Sequence, residues 1–189
     1  MTVRPSKHPG TVTMEMHRFD EALLEKAQRQ TQALAIRKIL VPVDFSPFSY
    51  KSLDYATAFA LQSKAEILLL HVVPINYVDA DLIAFDYTEL ERQTAETAKI
   101  QLERLAAERV DPAVTRYVRV GTGKPADEIV RIAEEFQAEL IVIATHGYTG
   151  FKHAFLGSTT EKVVRSAPCP VLTLRQHEHD FIPSPPKRE

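Results

Sequence analysis

Cysteine and tryptophan are nearly missing from this chain, which has one cysteine, Cys169, and no tryptophan in 189 residues. A single cysteine excludes an intrachain disulfide, and proteins that do without disulfides belong mostly to reducing compartments. We therefore expect a cytoplasmic protein. Cys169 stands between Pro168 and Pro170, where a small buried side chain is expected rather than a nucleophile.

Long apolar runs and an excess of one charge are missing too. Stretches such as 67–70 and 140–144 have the length of a strand, far below the roughly 20 residues of a membrane-spanning helix, and the N-terminus shows no apolar leader segment. The net charge of −2 leaves no basic footprint for nucleic acid. We therefore expect neither a membrane nor a nucleic-acid partner.

An alternation of apolar runs with helical patterns organises the middle of the chain. Most runs are apolar throughout, as in strands covered on both faces, and helices with legible starts lie between them. This pattern predicts a single doubly wound α/β domain with a five-stranded parallel sheet and helices on both faces. The five predicted strands are residues 38–43, 66–73, 113–120, 139–144 and 171–174. The predicted helix starts are Ser46 with Pro47, Thr88 with Glu91, Pro125, and Ser158 with Glu161.

The two ends of the chain differ from this middle. Residues 1–17 are rich in Pro, Thr, His and basic groups without a period, whereas residues 18–35 are compatible with a helix. The tail after residue 176 is rich in proline. We expect an N-terminal extension over 1–35, mobile and then helical, a globular domain over 36–175, and a disordered tail over 176–189.

A glycine-containing loop follows the fourth predicted strand. It reads Ala144-Thr145-His146-Gly147, then nine residues, then Gly157-Ser158 at a predicted helix start. The first turn of a helix offers unpaired N–H groups and the positive end of the helix dipole, and both favour an anion such as phosphate. Ser158 has a second interpretation, in which it forms a capping box with Glu161 and only satisfies the helix end.

Side chains at the ends of two other strands would supply the opposite side of a nucleotide site, because ligands of open α/β sheets collect at the carboxyl ends of the strands. Asp44 stands there after Pro42 and Val43, and its carboxylate suits a ribose hydroxyl or an adenine amino group. Its alternative role is that of a loop or helix-capping aspartate. Val72 offers either an apolar wall for the ligand or plain core packing.

Six segments together resemble the universal stress protein family, and the resemblance covers residues 36–175. They are KILVPVDFS (38–46), LLLHV (68–72), GTGKP (121–125), THGYTG (145–150), LGS (156–158) and APCPVL (167–172). The resemblance implies an adenine nucleotide alpha hydrolase-like fold with strand order 3-2-1-4-5. It also implies ATP as the bound cofactor, with or without Mg²⁺, and a homodimer that pairs through the last strand, Val171–Leu174.

The resemblance also implies the residues of the site. Nucleotide-binding members carry Gly, two residues, Gly, nine residues, then Gly and Ser or Thr, so Ala144 stands here in place of the first glycine. If that position requires a positive φ, alanine costs about 1–2 kcal/mol. The residues implied to line the adenosine are Pro42, Val43, Asp44 and Val72. Those implied to surround the phosphates are Ala144, Thr145, His146, Gly147, Tyr148, Thr149, Gly150, Gly157, Ser158, Thr159 and Thr160.

Competing motifs do not fit the chain. The GTGKP segment has proline where a Walker loop has Ser or Thr, the first crossover has no glycine for a dinucleotide fingerprint, and no cluster of Cys, His and acids predicts a metal site. The resemblance thus implies an ATP-binding regulatory protein of the stress response, and we expect it to have no catalytic residues. The alternatives are a dimeric interaction module that binds no nucleotide and a slow ATP hydrolase.

Overall fold

Two compact units, Met1–Ala35 and Ile36–Glu189, make up the chain. The structure is a computed structural model that describes residues 2–5, 12–15, 35–74, 87–145, 156–175, 180 and 182. The helix predicted within 18–35 and the loop residues 146–155 therefore lie outside the described residues. Among the helices that are described, none combines the length and the apolar character needed to cross a membrane.

The first unit contains a two-stranded antiparallel sheet. Strand β1 (Thr2–Pro5) pairs with β2 (Val12–Glu15), and Thr2 lies opposite Glu15. Residues 1–17 have no apolar period, so the sequence pattern does not predict these two strands. Valine and threonine occur in both, and their β-branched side chains favour extended backbone. The mobility of this extension stays a prediction.

The second unit is a five-stranded parallel sheet with helices between the strands. Its strands are β3 (Lys38–Pro42), β4 (Glu66–Val73), β5 (Arg116–Thr122), β6 (Leu140–Ala144) and β7 (Val171–Leu174). Its helices are α1 (Pro47–Ser63), α2 (Tyr87–Arg109), α3 (Pro125–Phe136) and α4 (Ser158–Ser166). The order β5-β4-β3-β6-β7 is 3-2-1-4-5 when the five strands are counted alone, so the predicted doubly wound fold is confirmed.

Side chains on both faces of the three central strands β3, β4 and β6 are mostly buried, which explains why these strands are almost entirely apolar. Ile39 and Val41 of β3 point into a core shared with α1 and α2, whereas Leu40 points into a second core shared with α3 and α4. Successive residues of a strand face opposite sides, so both faces need apolar side chains when helices cover both.

Most predicted boundaries are confirmed, and one strand is displaced. Ser46 caps α1 with Pro47 in the first turn, Pro125 opens α3, and α2 ends at Arg109. The strand predicted to begin at residue 113 begins at Arg116. A turn precedes it, in which the carboxylate and carbonyl of Asp111 accept hydrogen bonds from the N–H groups of residues 113 and 114.

Two residues of the predicted disordered tail contact the globular domain. The carboxylate of Asp180 accepts a hydrogen bond from the Tyr55 hydroxyl at 3.0 Å and pairs with Lys51 at 2.7 Å. Ile182 packs against the core on the same side of the sheet. For the rest of the tail, disorder stays a prediction.

Candidate functional site

A cavity of about 430 Å³ opens at the carboxyl ends of β3, β4 and β6. Strand β3 is the first strand of the parallel sheet in chain order and has β4 on one side and β6 on the other, so the cavity lies where the strand order reverses. All ten predicted binding residues that the structure describes line it: Pro42, Val43, Asp44, Val72, Ala144, Thr145, Gly157, Ser158, Thr159 and Thr160. The other five, His146, Gly147, Tyr148, Thr149 and Gly150, lie outside the described residues.

Gly157, not Ser158, is the N-cap of α4. Ser158 is the first residue of the helix, and the N–H of Glu161 donates to the Gly157 carbonyl in the ordinary helical pattern. A capping box would require Ser158 at the cap position, so that interpretation is wrong. Because glycine has no side chain, the N-cap makes no side-chain hydrogen bond to the first N–H groups of α4, and α4 begins beside the cavity.

Close approach, rather than an unusual backbone angle, is the reason for glycine at position 157. Its φ of −65° is accessible to any residue. Its N–H donates to the Thr145 carbonyl at 2.8 Å, and a Cβ at this position would lie only 2.8 Å from that same oxygen. Glycine therefore lets the start of α4 lie directly against the end of β6.

Ala144 occupies its position without backbone strain. It is the last residue of β6, it is paired with Leu174 of β7, and its φ is not positive. The cost of about 1–2 kcal/mol that a left-handed alanine would carry does not arise here. Its carbonyl accepts a hydrogen bond from the Thr160 hydroxyl at 2.8 Å, which ties the first turn of α4 to the strand.

Thr145 joins three elements at the inner wall of the cavity. It is 1% exposed, and both its N–H and its hydroxyl donate to the Leu174 carbonyl at the end of β7, at 2.8 and 3.2 Å. Its own carbonyl accepts a hydrogen bond from the N–H of Gly157. The hydroxyl implied to face phosphate therefore has a structural partner in β7.

Asp44 also lines the cavity, just after β3. One of its carboxylate oxygens accepts hydrogen bonds from the N–H and the hydroxyl of Ser46, at 3.0 and 2.5 Å. Ser46 in turn caps α1 by accepting from the Ser49 N–H at 3.3 Å. Asp44 thus orders the start of α1 and lines the cavity, so its two predicted roles are compatible. Val72 likewise belongs to the core at 8% exposure and lines the cavity.

Several lining residues were not predicted from the sequence. They are Ser49, Leu70, His71, Pro74, Pro125, Ile129 and Ile143. The start of α3 could have been found, because the GTGKP segment ends a strand on the same edge of the sheet. An ion pair between Asp127 of α3 and Lys162 of α4 connects the two helices that bound this side.

Backbone groups and neutral hydroxyls supply most of the polar lining. Among the described lining residues Asp44 is the one carboxylate and there is no Lys or Arg. Within the described part of the chain no cluster of three or more His, Cys, Asp or Glu residues could hold a metal ion. The described lining therefore suits an anion through N–H and O–H donors at one end and a hydroxyl-bearing group at the other.

Strand order and cavity together define a doubly wound α/β protein with a ligand cleft at the switch point of its sheet. The chain belongs to the universal stress protein family, whose model matches residues 35–175.

Individual relatives agree with this assignment. The chain is 30% identical to universal stress protein MJ0577 of Methanocaldococcus jannaschii, over 74% of this chain and 95% of that protein. It is 34% identical to universal stress protein YxiE of Bacillus subtilis, over 73% and 98% of the two chains. The solved structure of MJ0577 superimposes with a TM-score of 0.67 over 77% of this chain and all of that one. A universal stress protein solved in complex with cAMP, 23% identical with a TM-score of 0.52 over 75% and 98% of the chains, shares the fold.

Proposed function

We propose that this universal stress protein binds an adenine nucleotide, ATP above all, in the 430 Å³ cavity and acts as a regulatory protein of the stress response. The observation that carries the proposal is the start of α4. Its N-cap is a glycine without a capping side chain, and Asp44 lines the same cavity. An anion-binding group and a hydroxyl-binding group thus share one cleft.

The phosphates would lie at the start of α4. There the N–H groups of the first turn and the helix dipole favour negative charge, and Ser158 and Thr159 add hydroxyl donors. The Thr145 and Thr160 hydroxyls already bind the carbonyls of Leu174 and Ala144, so they hold the wall in place. Mg²⁺ would arrive with ATP on its phosphate oxygens, which are the hard oxygen ligands that the ion prefers.

The nucleoside would lie between β3 and β4. Val72, Leu70 and Ile143 provide an apolar wall for a base, and the Asp44 carboxylate can accept a hydrogen bond from a ribose hydroxyl. On binding, the nucleotide would change the surface that the protein offers to a partner protein. We place this activity in the cytoplasm, on the strength of the single cysteine.

We further propose that the chain forms a homodimer through β7. This strand is at the edge of the sheet and pairs with β6 alone, so one side of its backbone has no partner within the described sheet. Unpaired backbone groups at an edge favour pairing with another strand. A second copy of β7 satisfies both edges at once by two-fold symmetry.

Binding is tested directly on protein purified without added nucleotide. We expect denaturation to release ATP or another adenine nucleotide, identified by chromatography and mass spectrometry, and we expect calorimetry on the emptied protein to show ATP binding. Ser158→Ala should weaken ATP binding by roughly tenfold or more, the worth of one hydrogen bond to a charged group. Ser166→Ala makes the same change at the exposed far end of α4 and should leave the affinity unchanged. An emptied, folded protein that binds no ATP overturns the proposal and favours the interaction module.

A further inference from the structure

His71 contacts both neighbours of Asp44. It lies in β4, half-buried, and lines the cavity. Its Nδ1 is 2.8 Å from the carbonyl oxygen of Val43, the residue before Asp44. Its ring lies 4.6 Å, centroid to centroid, from the ring of Phe45, the residue after Asp44, at an angle of 37°. One side chain of the neighbouring strand thus contacts the chain on either side of the carboxylate.

The hydrogen bond to Val43 fixes the direction of the backbone just before Asp44. A carbonyl oxygen can only accept, so the proton of this bond is on Nδ1 of His71, and in the neutral ring Nε2 is then the acceptor. Val43 also donates its N–H to the Leu70 carbonyl at 2.8 Å. Both backbone groups of Val43 are therefore held by β4, although regular strand β3 ends one residue earlier.

Phe45 holds a backbone angle that aromatic residues rarely adopt. Its φ is +61°, in the left-handed region, where the Cβ crowds the following carbonyl. Such a conformation persists when the surroundings hold it in place, and it is concentrated at functional sites. Phe45 is held by the ring of His71 and by the core on the α1 side of the sheet. The left-handed turn at Phe45 brings Ser46 back to the Asp44 carboxylate.

We propose that His71 is a positioning residue that sets the Asp44 carboxylate toward the ribose hydroxyls of the bound nucleotide. The proposal rests on the proposed function. A histidine that only filled space would not need to contact both flanks of one cavity-lining acid. The consequence concerns specificity. The preference of the protein for a ribose over a 2′,3′-dideoxyribose depends on His71, which acts through Asp44.

The experiment measures the affinity of the full chain for ATP and for 2′,3′-dideoxy-ATP by calorimetry. The wild type is expected to prefer ATP by roughly tenfold or more, the worth of a hydrogen bond to a charged acceptor. Asp44→Asn and His71→Phe should both reduce this preference to about threefold or less. His71→Phe keeps a ring against Phe45 but removes the Nδ1 donor. His71→Asn restores a donor near the Nδ1 position and should recover much of the preference.

The double variant Asp44→Asn/His71→Phe separates positioning from packing. If His71 acts through Asp44, the double variant has the same preference for ATP over 2′,3′-dideoxy-ATP as Asp44→Asn alone. A purely structural role predicts that His71→Phe weakens both nucleotides by the same factor and leaves their ratio as in the wild type, and that result overturns the inference. A wild-type ratio near one overturns it as well. A wild type that binds neither nucleotide shows that the proposed function itself has failed. Should His71→Phe not fold, as thermal melting would show, His71→Leu takes its place, because it also removes the Nδ1 donor to Val43. A wild-type ratio in folded His71→Leu overturns the inference, and a ratio of about threefold or less supports it.

Discussion

At the scale of single residues, the need for glycine at one position and the left-handed backbone at others have different physical causes in this protein. Gly157 is required by the approach of a carbonyl oxygen, although its φ is ordinary. Phe45, Lys64 and Gln137 carry side chains at positive φ, where glycine would be unstrained. Spacing alone cannot distinguish these cases, because it shows where a glycine stands and not which atom lies beside it.

Gly157→Ala should destabilise the protein. The new Cβ would lie 2.8 Å from the Thr145 carbonyl oxygen, a backbone atom that cannot move without shifting the end of β6. We expect a loss of about 1–3 kcal/mol in the free energy of unfolding, measured by urea denaturation. Gly121→Ala is the matched control: its Cβ would meet the side chains of Glu128 and Ile132 at 3.3 Å, and these can yield. A larger loss for Gly121→Ala than for Gly157→Ala would contradict this account.

Gln137→Gly should stabilise the protein. Gln137 ends α3 in the left-handed conformation with φ of +57°, and its side chain is exposed. Glycine adopts this conformation without a Cβ penalty, so we expect a gain of about 1 kcal/mol and a higher melting temperature by about 2–4 °C. Gln137→Ala keeps the Cβ and should change little. Equal melting temperatures for the two variants would contradict the prediction.

At the scale of helices and strands, a buried carboxylate lies between α1 and α2. Asp54 pairs with Arg109 at 3.2 Å, and the Arg109 guanidinium lies over the ring of Tyr50. Burial raises the pKa of the Asp54 carboxyl above its ordinary value of 3.8, and Arg109 offsets only part of that rise. Desolvation of the charged form therefore exceeds the attraction of the ion pair.

The raised pKa of Asp54 predicts how the stability of the Asp54→Asn variant relative to wild type depends on pH. The folded state holds the Asp54 proton more tightly than the unfolded state does. The stability that this carboxyl contributes is therefore complete below pH 3.8 and is lost as the pH rises through its folded-state pKa. Asparagine does not titrate. Relative to wild type, we expect the free energy of unfolding of Asp54→Asn to be higher at pH 7 than at pH 3.5, by urea denaturation at both values. A relative stability that falls with rising pH would show that the ion pair dominates.

Thr145 connects the end of β7 to the start of α4 by its hydrogen bonds to Leu174 and Gly157. Thr145→Val keeps the shape of the buried side chain and removes the hydroxyl bond to Leu174, which we expect to cost about 1 kcal/mol of stability. Because this wall supports the end of the cavity where we propose that phosphates bind, the affinity for ATP should fall more than the affinity for adenosine. Thr145→Ser keeps the hydroxyl and is the matched control. Equal losses for ATP and adenosine would indicate a general structural effect.

The sequence predicts the elements well and the contacts between them less well. Apolar runs place the strands, and Ser46 with Pro47 and Pro125 mark the starts of α1 and α3, because these signals are local. The capping boxes predicted at Thr88 and Ser158 are wrong, because both residues lie within the helices. The β5 start was missed by three residues because the Asp111 turn is made by side-chain and backbone hydrogen bonds that no apolar period reveals. Asp44, Val72 and Gly157 could be predicted from strand ends and spacing. His71 was missed because its role depends on which residues of β3 lie beside it in the sheet.

At the scale of the whole molecule, the hydrogen bonds of β7 show which of its backbone groups face outward. The carbonyls of Pro170 and Leu174 accept from the N–H groups of Ile141 and Thr145, so alternate residues of β7 direct their backbone groups toward β6. By that alternation the N–H and carbonyl of Thr173 point away from the sheet. A dimer formed through this edge needs those groups.

Thr173→Pro is therefore expected to dissociate the proposed dimer without breaking the sheet. Proline removes an N–H that β6 does not use, and an edge strand tolerates it. We expect light scattering after size-exclusion chromatography to give the mass of two chains for wild type and of one chain for Thr173→Pro. Thr173→Val keeps the N–H and should remain dimeric. A wild-type monomer at high concentration, or a Thr173→Pro variant that stays dimeric, would contradict pairing through β7.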